Sequence, residues 1–325
     1  MKQRATFRAL GLSLLCIAIF GCASAPKGQS SSTTPSAPAT PNVVLTGSPP
    51  IAQAPATVPT PTRAMRIGLA LGGGAARGFA HAGVIKALEA HGIAVDVVTG
   101  TSAGSMVAVL YASGMNAAAL QNAANTMDEA TLTDWTLSSR GMIKGEALQN
   151  YINKQVQNRP LDQLAKPIGV VATDFESGAA ITFVRGNAGM AVRASASIPG
   201  VFSPTKIENR TYVDGGLASP VPAKAAKQLG ADFVIAVDIS ARPGKPPEGL
   251  AATLNQTVSI MGQNIRNEEL KAFADWVLHP NIDHISGTDF GARKALMIEG
   301  EQNTLTQIAA LKNAIAAAKL KLNLR

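Results

Sequence analysis

From residue 66 to about residue 240, short apolar runs alternate with stretches whose apolar positions fall every three or four residues. The short runs at 66–71, 95–98, 168–172, 180–184, 210–213 and 233–237 read as strands, most of them apolar throughout. Helical spacing fills most gaps: 78–90, 103–113, and Leu148, Ile152 and Val156 at intervals of four. Strands without alternation are buried on both faces, so the pattern predicts an α/β sheet covered by helices on each side. Further on, Leu254, Val258, Met261 and Ile265 mark one long helix, and Leu305, Ile308, Leu311 and Ile315 another. Residues 250–325 are read as helical cover for the same domain, which is expected to span 65–325 with no internal repeat.

The front of the chain follows different rules. Lys2, Arg4 and Arg8 precede an apolar run over 10–20 that is shorter than the ~20 residues a membrane span needs. That combination fits a secretory signal peptide over 1–21. Its end, Ile19-Phe20-Gly21-Cys22, resembles the bacterial lipobox, which implies cleavage before Cys22 and a lipid on its sulfur; an ordinary signal cut after Ala23 or Ala25 is the alternative. Residues 22–64 hold nine of the nineteen prolines and no acidic residue. Such Pro/Ser/Thr/Ala composition buries too little apolar surface to fold, so the segment is expected to be a disordered linker spanning about 35 Å as a coil. Ala23 after the cysteine, rather than Asp, resembles lipoproteins sent to the outer membrane, so the expected location is the bacterial envelope, lipid-anchored, at the outer rather than the inner membrane.

Composition narrows the function. Cys16 and Cys22 are the only cysteines, and Cys16 leaves with the signal, so a disulfide and a cysteine metal site are both excluded from the mature chain. Loss of the three basic signal residues lowers the formal charge from +8 to +5. No Lys/Arg cluster is interleaved with aromatics, which argues against nucleic acid as a partner. Neither a metal nor a cofactor is expected, and the oligomeric state is not legible.

Two glycine loops carry the chemistry. Leu69-Ala70-Leu71-Gly72-Gly73-Gly74-Ala75-Ala76-Arg77-Gly78 follows the first strand, and Gly100-Thr101-Ser102-Ala103-Gly104 follows the second. A G-x-S-x-G turn between strand and helix exposes its serine on a sharp bend, with backbone N–H groups nearby. The first loop is not a dinucleotide fingerprint, because the third glycine of G-x-G-x-x-G falls on Arg77 in one register and the second falls on Ala75 in the other. A P-loop fails for want of Gly-Lys-Ser/Thr. The loop is therefore read as an oxyanion hole, with N–H groups from Gly73, Gly74 and Ala103. Arg77 is either a positive charge beside that hole or a solvated charge on the next helix.

The base is less plainly marked. Asp214 ends a strand on the glycine turn Asp214-Gly215-Gly216, where an α/β sheet presents reactive groups. A carboxylate at its ordinary pKa of ~3.9 takes a serine proton poorly, so burial must raise it. Ser102, Asp214 and His279 or His284 also match the Ser-Asp-His order of α/β-hydrolases. His81 is read as structural, and Asp174 and Asp238 as turn residues.

Together GGGAARG, GTSAG and DGG, with Ala194-Ser195-Ala196-Ser197-Ile198-Pro199-Gly200 and Thr173-Asp174-Phe175-Glu176-Ser177-Gly178, resemble the patatin-like phospholipase family over residues 66–240. The resemblance implies a three-layer α/β/α fold around a mainly parallel sheet, a Ser102–Asp214 dyad without histidine, an oxyanion hole from the first loop, and lipid acyl esters as substrates. A soluble-ester hydrolase or thioesterase, or a non-catalytic lipid-binding regulatory lipoprotein on the same fold, are the alternatives.

Overall fold

A computed structural model describes residues 63–127, 144–242 and 248–325. The expected signal peptide, Cys22 and the expected linker up to residue 62 lie outside the described residues. The chain's central strands form where sequence-local apolar runs are long enough to be covered on both faces. β1 (Ile67–Leu71), β2 (Val97–Thr101), β3 (Ile168–Asp174) and β7 (Phe233–Val237) are buried along their whole lengths. Around them lie β4 (Ala180–Phe183), β5 (Thr205–Ile207), β6 (Arg210–Asp214) and β8 (Trp276–Leu278). The sheet runs β5-β6-β3-β2-β1-β7-β8, with β4 paired to β3. Every pairing from β3 through β2, β1 and β7 to β8 is parallel; β4 and β6 meet β3 antiparallel, as β5 meets β6.

Side-chain size divides the two faces. Leu69, Leu71, Val98 and Ile235 join a large core with α1 (Ala80–Ala90), α2 (Ala103–Ala112), α3 (Ala117–Thr126), α4 (Glu146–Gln155), α5 (Ala188–Ser195) and, beyond them, α8 (Arg293–Leu322). Ala70, Val234 and Ala236 point the other way, and small residues there let α6 (Ala223–Gln228) sit close, with Leu270 and Phe273 of α7 (Leu250–Phe273) outside it. The result is the expected three-layer α/β/α arrangement.

Three local expectations are corrected. β2 runs through Thr101 rather than stopping at Val98, because the hydroxyls of Thr99 and Thr101 are satisfied by the Pro222 and Ser219 carbonyls at 2.9 and 2.8 Å. The helix after the first loop begins at Ala80, preceded by a 3-10 turn over Ala75–Phe79. α7 exists, but Val258, Met261 and Ile265 face solvent instead of the core.

α8 is the outer brace. Thirty residues make it about 45 Å long, and its Leu296, Met297, Leu311 and Ile315 are buried. It crosses α1 with backbone against backbone: a Cβ on Gly83 would stand 1.9 Å from the Met297 carbonyl oxygen, and one on Gly300 2.1 Å from that of Ala80. Replacing either glycine by alanine should force the helices apart and lower stability by about 1–3 kcal/mol. Thermal unfolding of Gly83→Ala and Gly300→Ala checks this; an unchanged Tm in both would contradict the contact.

Candidate active site

Strand register assembles the site. Thr101 of β2 is paired with Val171 of β3, and Asp214 of β6 with Ala172, the next residue along. Ser102 leaves β2 one residue beyond Thr101, so β3 acts as the spacer that sets Ser102 and Asp214 side by side. Both are almost fully buried, each 7% exposed.

Ser102 occupies a strained conformation, with φ 53° and ψ −125°, a left-handed backbone that non-glycine residues rarely adopt. The neighbours over-determine it. Its N–H donates to Ser195 Oγ at 2.8 Å, and that hydroxyl in turn donates to the Val171 carbonyl at 2.5 Å. Its own carbonyl accepts both the N–H and the hydroxyl of Ser105, at 2.9 and 2.6 Å. The flanking glycines are sterically required: a Cβ on Gly100 would lie 2.4 Å from the Gly104 oxygen, and one on Gly104 2.2 Å from the Leu71 oxygen. Gly78 is equally confined, since its Cβ would meet that of Ala103 at 2.8 Å.

Asp214 is held by its backbone and left chemically exposed at one oxygen. Its N–H donates to Ser197, its carbonyl accepts the Thr173 hydroxyl, and Oδ1 accepts the Gly216 N–H at 2.7 Å. Oδ2 is buried without a completed hydrogen bond. The Ser102 hydroxyl stands against this carboxyl, near enough to favour its ionised form, and a contact of this kind tightens when substrate fills the site. Burial outweighs both donors and pushes the acid up to about 6. Gly215 admits no side chain, because a Cβ would stand 2.2 Å from the Val171 oxygen.

The first loop runs in contact with Ser102: a Cβ on Gly73 would lie 3.1 Å from Ser102 Cβ. Of the three donors expected there, Gly73 is corrected. Its N–H donates to the Pro220 carbonyl at 3.0 Å, continuing the bond from Gly72 to Val237 on the β7 side. Gly74 keeps a free N–H, and Ala103, as the first residue of α2, has no acceptor for its own within the helix. Ala75 opens the 3-10 turn with φ 49°, and its N–H likewise has no acceptor among the described residues.

Arg77 is not the solvated charge that was one of its two expectations. It is 8% exposed, and its Nε donates to the Ile285 carbonyl at 2.9 Å while Ala76 N–H donates to that of Gly287. It fastens the segment 285–288 across the loop, and burial lowers its pKa. His81 is structural: wholly buried, held neutral by a pKa driven down to about 4, it donates through Nε2 to the Gly72 carbonyl at 2.9 Å. His279 does not approach Asp214. Its Nδ1 faces Asp238 at 3.5 Å and its Nε2 Asp283 at 3.7 Å, while His284 is exposed. Asp238 is therefore more than a turn residue, since it is buried in an ion pair with Arg266 at 3.2 Å. Asp174 is the turn residue expected, accepting the N–H and hydroxyl of Ser177 at 2.9 Å.

A cavity of about 270 Å³ opens beside Ser102. Its described wall is almost entirely apolar, with Phe79, Met106, Leu110, Phe202 and Phe290 prominent and no charged side chain among the described lining residues. A nucleophile, an elevated acid, free backbone donors and an apolar chamber together suit acyl transfer from an apolar chain.

Comparison with known proteins agrees with this chemistry. Residues 69–227 match the family described as patatin-like phospholipase. An uncharacterized NTE family protein of Mycobacterium tuberculosis is 34% identical over 201 residues, which is 59% of this chain and 56% of that protein. The human patatin-like phospholipase domain-containing protein 6 is 32% identical over 227 residues, 67% of this chain and 16% of its own length. Lysophospholipase NTE1 of Coccidioides immitis is 32% identical over 195 residues, 58% of this chain and 12% of that protein. The chain thus spans little more than half of the mycobacterial relative and a small part of the others. Among solved structures, VipD from Legionella pneumophila has the same fold, with a TM-score of 0.51 at 13% identity over 76% of this chain and 67% of that one.

The raised acid makes a stability prediction. Asp214 holds its proton more tightly folded than unfolded, so folding is favoured below the unfolded value of 3.8 and bears the cost of ionisation above about 6. By linkage that cost is about 3 kcal/mol at neutral pH. Asp214→Asn should therefore unfold at a higher temperature than the parent at pH 7.5, with the advantage vanishing near pH 3.5. An Asn variant no more stable at pH 7.5 would contradict a buried, unpaired carboxylate.

Proposed function

We propose that this chain, which carries a patatin-like phospholipase domain, hydrolyses acyl esters of lipids through a Ser102–Asp214 dyad. The single observation that carries the proposal is Ser102 set against a buried, unpaired carboxyl oxygen of Asp214 at the wall of an apolar cavity. Ser102 Oγ attacks the ester carbonyl as its proton passes to Asp214 Oδ2. The carbonyl oxygen becomes an oxyanion, held by the N–H groups of Gly74 and Ala103, each such donor contributing on the order of 3 kcal/mol. Collapse expels the lipid alcohol, which takes the proton from Asp214, and leaves an acyl-serine. Asp214 then draws a proton from water, the hydroxide attacks the acyl-serine, and fatty acid leaves as Ser102 recovers its proton.

The environment supports these roles. A carboxylate at about 6 is mostly ionised at pH 7, yet basic enough to share a proton with an activated hydroxyl. The acyl chain goes to the apolar chamber, whose described wall residues include no charged group for a head group. The head group therefore stays outside, which favours phospholipid and lysophospholipid esters alike. The names of two relatives, patatin-like phospholipase domain-containing protein 6 and Lysophospholipase NTE1, fit that substrate class. The same proposal keeps a lipid on Cys22 and the 22–64 linker as the tether holding the domain near the bacterial outer membrane.

Release of fatty acid from lysophosphatidylcholine tests the chemistry. Ser102→Ala and Asp214→Asn should each lose at least about 10³-fold in kcat, whereas His279→Ala should stay within about threefold. In the parent enzyme kcat/KM should rise through pH about 6, because the protonated acid cannot accept the serine proton. Full activity in either dyad variant overturns the dyad, and a large loss in His279→Ala restores a triad.

A further inference from the structure

α7 carries apolar side chains on its outer side as well as its inner one. Toward the body, Leu270 and Phe273 pack over α6 at its C-terminal end, while Arg266 reaches Asp238 at 3.2 Å and Glu269 accepts the Ser219 hydroxyl at 2.7 Å and the Lys224 N–H at 3.0 Å. On the water side Val258, Met261 and Ile265, spaced i, i+3 and i+7, form one stripe that is 49%, 60% and 37% exposed. Ile260 adds a further 46% exposed aliphatic side chain. Between residues 250 and 265 the helix has no charged residue at all. A surface helix of a globular protein normally turns its apolar residues inward, and a contiguous apolar stripe on a surface marks an interaction site.

Position identifies the partner. Gly262, on the turn between Met261 and Ile265, faces the Gly216 carbonyl, with 4.0 Å from its would-be Cβ to that oxygen. Gly216 is the residue whose N–H holds Asp214. The stripe is therefore on the helix that packs against the Asp214-Gly215-Gly216 turn. Val201, which lines the cavity beside Ser102, is 46% exposed, so apolar surface also reaches solvent at the chamber's opening. A protein partner would be met by a polar rim with Arg or acidic groups, and residues 250–265 offer none. An uncharged apolar face can enter the boundary between head groups and acyl chains without desolvating a charge.

We propose that the Val258–Met261–Ile265 stripe of α7 seats the domain on a lipid surface, bringing the Ser102 cavity to the layer that holds its substrate. This rests on the lipid-ester reading above and adds how the site reaches an insoluble substrate. Because the stripe is uncharged, attachment should need no anionic lipid and should survive high salt.

The test uses the full chain with Cys22→Ser, so that no acyl anchor contributes, and Ser102→Ala, so that vesicles stay intact. Co-sedimentation with pure phosphatidylcholine vesicles should give binding that is unchanged in 0.5 M salt. Val258→Asp/Met261→Asp should lower the partition coefficient at least tenfold, and the uncharged pair Val258→Thr/Met261→Gln should lower it several-fold, with each pair keeping its parent's Tm. On the Ser102 background the same pairs should leave kcat/KM for a monomeric short-chain ester within twofold while hydrolysis of vesicle phospholipid falls about tenfold. Undiminished vesicle binding by both pairs overturns the proposal. A parent dimer that these pairs dissociate also overturns it, naming a second copy as the occupant. If the parent binds vesicles through the stripe but cleaves no lipid ester, docking stands and the hydrolase reading fails.

Discussion

Asp214 keeps a carboxyl in the protein interior with one oxygen bonded to the Gly216 N–H and the other faced only by the Ser102 hydroxyl. No cation among the described residues offsets it, which distinguishes it from Asp238, another buried acid at a strand end. That residue shares its site with Arg266 and His279, and its pKa is lowered, whereas burial raises Asp214 to about 6. The two aspartates lie at the ends of strands β6 and β7 in one sheet. Environment alone sends their proton affinities in opposite directions, the usual way a fold separates a reactive acid from a structural one. Everything around Asp214 serves that isolation: β6 holds it through Ala172, and Gly215 lets the chain turn away against Val171.

Close backbone packing does the rest. Ser102 keeps its left-handed conformation because Ser195 ties its N–H to β3 and because Gly100, Gly104 and Gly78 leave no room for the elbow to relax. The first loop is pinned in three directions, by Gly72 and Gly73 to the β7 side, by His81 from below α1, and by Arg77 to the segment at Ile285. A neutral His81 supports the loop through a hydrogen bond alone, its charge suppressed by burial. Local strain is thus distributed among hydrogen bonds that each have a partner, which is how a functional turn persists.

Much of this was legible in the sequence because its signals are local. Buried parallel strands read as continuous apolar runs, and G-x-S-x-G and Asp-Gly-Gly announce tight turns by glycine. What was missed depends on non-local partners. β5 and β8 are three residues long and exist only by pairing with β6 and β7. Thr99 and Thr101 broke the apolar run of β2, since their satisfaction by Pro222 and Ser219 lies more than a hundred residues away. Gly73 was counted as a free donor because nothing in its own loop reveals the Pro220 carbonyl. On α7 the spacing of Val258, Met261 and Ile265 predicted a helix correctly and its facing wrongly, for periodicity fixes a stripe but not what lies opposite. Ser102 and Asp214 stand side by side in the fold, while Ser195 is recognisable as a tether only through its partners on β2 and β3.

The account stands on Ser102 being the nucleophile that Asp214 activates. Intact-protein and peptide mass spectrometry after exposure to a fluorophosphonate ester tests this directly. One adduct should form, on Ser102, and its rate should fall at least about 10²-fold in Asp214→Asn while that variant remains folded. An adduct on another serine, no adduct on the folded protein, or equal labelling of the Asp214→Asn variant would contradict it.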